Sequence, residues 1–177
     1  LVASALEMDE LVVSAEGTPR AELTKSTQSL SVIAADKLEE VRGQTLGETL
    51  ATLPGVTTLQ TGPAISKPVI RGLHSQRLVV ANAGVQQEGQ QWGAEHAPEI
   101  DPFAPARIEV LRGAASVEYG AGAIGGVIRI EPRELRRQPG YGGNVNLNMF
   151  SNNRQTSGSM LHEGGSKLIP GLGWRLQ

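Results

Sequence analysis

The sequence predicts an α+β domain, a small mixed β-sheet with short helices, followed by opening antiparallel strands of a transmembrane β-barrel. Three observations carry this prediction. Two β-branched runs, residues 108–111 and 127–130, flank a glycine-dense connection containing Gly120, Gly122, Gly125 and Gly126, where backbone can take positive φ at little steric cost. Two short amphipathic segments between residues 36 and 53 carry helix start and stop signals. After Pro139, residues 143–150 alternate polar and apolar with period two, as strands do when one face meets lipid and the other a lumen.

Taken in order, residues 1–20 read as a flexible segment. Within it, Asp9-Glu10-Leu11-Val12-Val13-Ser14-Ala15 is a short β-prone run. A lone strand of this length has little to pair with locally, so by itself it reads as an edge strand or a frayed terminus. Ala3-Ser4-Ala5 resembles the small-residue tail of a signal-peptidase site. Leu1-Val2 equally suits the close of an upstream domain.

Residues 21–135 form the predicted domain. A strand is expected over 28–33, then a helix capped by Asp36 and ended at Gly43. Thr45, with Glu48 three residues later, makes a capping-box pattern for a second helix. Its apolar face is Leu46, Leu50 and Leu53, at i, i+4 and i+7. Pro54-Gly55 stops it. Short strands are expected over 56–59, 68–70 and 77–81, and Asn82-Ala83-Gly84 supplies turn chemistry after the last. Residues 86–105 then run polar and irregular, and a loop of that length is functional or disordered. Residues 136–177 read as the start of an incomplete barrel, since three alternating segments are too few to close one. A β-hairpin extension of a soluble domain is the alternative.

Composition removes several classes of function. Net charge is −2, which gives no electrostatic reason to expect nucleic acid as a partner. Cysteine is absent, so there is neither a disulfide framework nor a thiolate metal site. No run approaches the ~18 apolar residues of a membrane-spanning helix. Aromatic content is 3%, too poor for the girdles of a complete barrel.

Gly120-x-Gly122-x-x-Gly125 matches the dinucleotide-binding pattern, but its glycines lead into a strand rather than the helix whose N-terminus would meet a pyrophosphate. No nucleophile-elbow or zinc-protease motif occurs, so an enzyme is not expected, and no cofactor is implied. Glu88, Glu95, His96, Glu99 and Asp101 form an oxygen-rich set with one imidazole on the long loop. Hard or borderline metals accept such ligands, and a solvated polar loop is the plain reading.

The central stretch, RIEVLRGAASVEYGAGAIGGVIRIEP, resembles the end of the plug domain of TonB-dependent outer-membrane receptors. Ala114 stands where that family's signature usually has proline, and Arg129 where it has asparagine. The segments TLGETLATLPGV, VIRGL and RLVVANAGVQ resemble consecutive plug segments in the same order, so the resemblance spans residues 9–132.

The resemblance implies a gate domain inside its own β-barrel, in the outer membrane of a Gram-negative bacterium, with the N-terminus in the periplasm. It implies that residues 9–15 are a TonB box, which pairs by strand addition with a TonB-like periplasmic energy-transducing protein. Arg71 and Arg112, each preceding glycine at a strand end, would lock plug to barrel through charge-assisted hydrogen bonds. The long loop would meet an extracellular ligand such as a metal chelate, with Gln91, Trp92, Glu95, His96 and Glu99 as candidate contacts. If that ligand carries a transition metal, His96 is the candidate protein ligand. The rival reading is a soluble periplasmic or surface ligand-binding module without transport activity.

Overall fold

The computed structural model describes residues 29–62, 65–88, 100–151, 154–169 and 171–177. Strand β1 (Ser29–Ile33) leads to helices α1 (Ala35–Val41) and α2 (Leu46–Leu50). The hairpin β2 (Val56–Gly62) and β3 (Ile65–Ile70) follows, then β4 (Leu78–Asn82) and β5 (Val85–Gln86). The strands β6 (Pro105–Arg112) and β7 (Gly126–Pro132) complete the domain.

Five strands form one mixed sheet in the order β1-β6-β7-β4-β5. Only the β4–β7 contact is parallel. The two β-branched runs of the central motif are antiparallel neighbours, with Val110 opposite Ile128 and Ile108 opposite Ile130. One sheet face carries Val80, Ile108, Val110, Ile128 and Ile130, which pack with Leu38, Leu46 and Leu50 of the helices and with Val56 and Ile70 of the hairpin. Each such side chain, fully buried, contributes about 1.5–3 kcal/mol.

Local sequence explains most boundaries. Thr45 Oγ1 accepts the Glu48 N–H at 3.2 Å, and the Glu48 carboxylate accepts the Gln44 N–H at 2.8 Å. The reciprocal bond therefore lands one residue upstream of the usual capping box. Asp36 is not a cap: the N-cap of α1 is Ala34, with no side-chain hydrogen bond, and Asp36 sits inside the first turn. An acid there still complements the helix dipole. In the turn from β4 to β5, Ala83 (φ 50°) and Gly84 (φ 81°) both take positive φ, the conformation whose twist suits two-residue hairpins.

The connection between β6 and β7 is richer than a bare glycine turn. It winds into 3-10 turns over Gly113–Tyr119 and Ala121–Ala123. Tyr119 and Ala123 cover Val79, Val127 and Leu111 on the second sheet face. The glycines divide their duties. A Cβ on Gly125 would lie 2.7 Å from Leu78 Cδ2 and 2.8 Å from the Arg77 carbonyl oxygen. Gly126 (φ 141°) would set one 2.8 Å from the Leu111 carbonyl oxygen. Gly120 is needed for its φ of 86°, while a Cβ on Gly122 would make only ordinary contact.

Beyond Pro132 the chain crosses residues 133–139 and enters a separate meander of β8 (Gly140–Phe150), β9 (Gln155–Gly165) and β10 (Gly173–Leu176). Its faces alternate along β8, and β9 departs at Leu161, which turns inward, and His162, which turns outward. Tyr141, Val145, Leu147, Met149, Met160 and Leu176 are exposed on one side. Asn144, Asn146, Ser159, Glu163 and Arg175 lie on the other. That polar side, with Arg42 and Phe103 of the domain and Arg133 just past it, lines a shared cleft. Among the described residues, no helix is long and apolar enough to cross a membrane.

Candidate functional site

The site begins with a two-residue turn. Ile70 and Leu73 exchange both backbone hydrogen bonds at 2.9 Å, so Arg71 and Gly72 form the corner. Both take positive φ, 51° and 79°. Glycine occupies that conformation freely, whereas an arginine there costs on the order of 1 kcal/mol. Its side chain is exposed. The corner thus presents an exposed cation at that strand end.

Arg112 closes β6 and is only 9% exposed, opposite Ser29 of the edge strand β1. Gly113 follows at φ 82°, and its carbonyl accepts the Ser116 hydroxyl at 2.8 Å. The two arginines belong to one end of the domain. A Cβ on Gly126 would meet Leu111 on one side and Ile70 at 3.4 Å on the other, and these are the residues just before Arg112 and Arg71. The Gly125 N–H donates to the Arg77 carbonyl at 2.7 Å, tying the glycine connection to the segment that follows the Arg71 corner.

A charged quartet that the sequence reading did not single out lies on the second face of the sheet. Arg107 Nη2 is 2.6 Å from Glu109 Oε1, Arg129 Nη1 is 3.1 Å from Glu109 Oε2, and Arg129 Nη2 is 2.9 Å from Glu131 Oε1. Glu109 faces Arg129, and Arg107 faces Glu131, across the β6–β7 ladder. The signal was available: the same Arg-Ile-Glu triplet stands at 107–109 and at 129–131, and antiparallel pairing sets each arginine opposite a glutamate. Opposite charges directly across an antiparallel pair support its register.

A third feature joins domain and meander. Arg42 lies over the Phe103 ring at 5.4 Å. Burial lowers its pKa, while the nearby Glu39 and Asp101 carboxylates act the other way. Asp101 accepts the Phe103 N–H at 2.8 Å and the Gln177 side-chain amide at 3.3 Å.

The remaining candidates, Asp9 to Ala15 of the N-terminal run and Gln91, Trp92, Glu95, His96 and Glu99 of the long loop, lie outside the described residues. Glu88 and Asp101, at the loop's flanks, are both exposed. Among the described residues, no three histidine, aspartate or glutamate side chains come together in a way that would hold a metal ion.

A small mixed sheet leads into strands that are apolar outward and polar toward it, which is the arrangement of a domain seated against the first strands of a barrel. The family model for the TonB-dependent Receptor Plug Domain matches residues 22–127, and the chain belongs to that family. It is 33% identical over 139 residues to a vitamin B12 transporter, BtuB, of Vibrio vulnificus, covering 77% of this chain and 22% of the relative. It is 32% identical over 124 residues to a hemin receptor of Yersinia pestis, covering 70% and 18%. An iron-regulated outer membrane virulence protein of Vibrio cholerae is 33% identical over 162 residues, covering 87% and 24%.

Solved structures share the fold. The ferric enterobactin receptor PfeA of Pseudomonas aeruginosa superposes with a TM-score of 0.65 at 23% identity, over 87% of this chain and 24% of that one. The copper transporter OprC gives 0.61 at 24% identity, over 78% and 21%. The chain therefore spans about a quarter or less of the proteins it matches, and corresponds to their plug and first barrel strands.

Proposed function

We propose that this chain is the gate of a TonB-dependent transporter that takes up a scarce extracellular ligand such as a metal chelate. The observation that carries the proposal is the strand-end arginine constellation. Arg71 sits at an exposed corner at a conformational cost, at the same end of the domain as Arg112 and as Gly125 and Gly126, where a side chain would not fit. A positive φ at Arg71, although the two-residue turn accounts for it, puts a charged residue where glycine would be easiest, and that choice supports a functional reading. In this reading the two arginines lock the plug to carboxylates of the surrounding barrel. Residues 9–15 are offered to a TonB-like partner, which pairs by strand addition, and energised pulling on that peptide moves the plug aside. The loop containing Gln91, Trp92, Glu95, His96 and Glu99 meets the ligand at the barrel mouth, with His96 as the metal contact if the ligand bears one.

A soluble binding module fits less well. It would leave Val145, Leu147, Met149 and Met160 exposed on one face of a sheet without lipid to cover them.

The test uses cells expressing the full-length receptor that contains this segment, offered labelled ferric enterobactin, hemin and vitamin B12 as separate probes. Energised accumulation of one probe is expected, and Val12→Pro, which removes a backbone donor, is expected to abolish accumulation while leaving cell-surface binding intact. Accumulation by Val12→Pro at the parent's rate would remove the TonB-box assignment. Accumulation unchanged on dissipating the proton gradient would remove the gate.

A further inference from the structure

Residues 133–139 connect the plug to β8, and their side chains are exposed. An exposed seven-residue connector is expected to be a free tether. Here its main chain is instead laid down on the meander, at two sets of contacts.

The first is a guanidinium fork. Arg175 of β10 donates from Nη1 to the Arg133 carbonyl at 2.6 Å and from Nη2 to the Glu134 carbonyl at 2.5 Å. Its Nε and Nη2 also donate to Glu163 Oε2, at 3.2 and 2.9 Å. Glu163 is the cross-strand partner of Arg175 and is nearly buried, so the carboxylate holds the fork in place.

The second is a glycine seat. Gly140, Gly165 and Gly173 stand in register across three adjacent strands. A Cβ on Gly165 would overlap the Gln138 carbonyl, and one on Gly173 would overlap the Arg136 carbonyl. The Arg136 guanidinium covers the third member: a Cβ on Gly140 would lie 3.2 Å from its Nη2, and one on neighbouring Gly142 would lie 3.1 Å from its Nη1. The connector backbone rests where side chains would otherwise stand.

We infer that residues 133–139 are a strap fastened to the inner wall of β8–β10 by the Arg175 fork and the glycine seat. The plug's C-terminal end is thereby fixed to the barrel, and plug movement ends at the Pro132–Arg133 junction. Docking follows from the contacts alone. Its role in gating rests on the transport reading above.

The strap carries Arg133, Arg136 and Arg137, so trypsin reports on it directly. The purified full-length receptor is digested, and cleavage after each of the three is followed by mass spectrometry. Cleavage requires the strap to lift, so the parent is cut slowly. Arg175→Ala and Gly165→Val each raise the rate by about tenfold, the equivalent of losing one charge-assisted anchor. Arg175→Lys, which keeps the charge but cannot span two carbonyls and a carboxylate, behaves like Arg175→Ala. Leu135→Ala, at an exposed position of the same segment, leaves the rate unchanged. If Gly165→Val disturbs the strands themselves, the arginine pair decides. Parent-like cleavage of Arg175→Ala would overturn the docked strap.

A second arm addresses gating. This chain has no cysteine, so a pair introduced by Arg136→Cys and Gly142→Cys can be joined by a short bifunctional thiol reagent. Joining strap to strand leaves energised uptake intact if the strap stays put. Loss of uptake on joining would overturn the stationary strap. Absence of uptake in the unmodified receptor would instead count against the transport reading, and the tryptic result would stand.

Discussion

The plug sheet and the β8–β10 meander use the same period-two grammar to opposite ends. In the plug, Val110 and Ile128 are fully buried between sheet and helices. In the meander, Val145 and Leu147 alternate just as regularly yet are 66% and 79% exposed, while Asn144 and Asn146 turn toward the plug. One sheet is apolar inward because its exterior is water. The other is apolar outward because its exterior is lipid, and polar groups remain for the lumen. Alternation states that a strand has two faces; it does not state which face is the inside.

That contrast can be broken at four places. The largest effect is expected from Val110→Arg, which places an unpaired charge in the plug core and should cost about 4 kcal/mol or more. Chemical denaturation followed at the plug should show it at once. A small change would mean this face is not the core.

Next comes Leu147→Arg in the membrane-inserted receptor. Near the bilayer midplane it should cost about 2–4 kcal/mol, whereas a water-exposed site would respond by about 0.5 kcal/mol or less. Unfolding the receptor from lipid vesicles separates the two outcomes, and a cost at the lower figure would return the meander to a soluble role.

Gly125→Val should cost about 3 kcal/mol, since its side chain would meet the Arg77 carbonyl and the side chains of Leu73 and Leu78. Gly122→Ala, three residues earlier, meets only ordinary contacts and should leave the melting temperature near that of the parent. Equal responses at the two positions would mean that the connection yields where it is described as rigid.

The smallest effect belongs to Thr45→Ala. Losing the hydroxyl that caps α2 should cost about 1 kcal/mol, read as a modest shift in the denaturation midpoint with an unchanged slope.

Much of this protein was written in its sequence, wherever the determining contacts are local. The helix at 46–50 is announced by Thr45 and Glu48, the β4–β5 corner by Asn82-Ala83-Gly84, and the two-faced strands of the meander by their alternation, because caps, corners and pleats are settled within a few residues of chain. The central signature was likewise legible as two paired strands, and the family that carries it follows from the order of its segments. What required the tertiary structure was everything settled between distant residues. The glycines of one connection look equivalent in sequence, yet Gly125 is forced by close packing, Gly120 by its φ, and Gly122 by neither. Arg71 reads as an ordinary turn residue until its backbone is seen at positive φ. Arg175 lies 41 residues from one of the carbonyls it holds and 42 from the other, and a fork of that span leaves no periodic trace, since its partners are main-chain oxygens that every residue possesses.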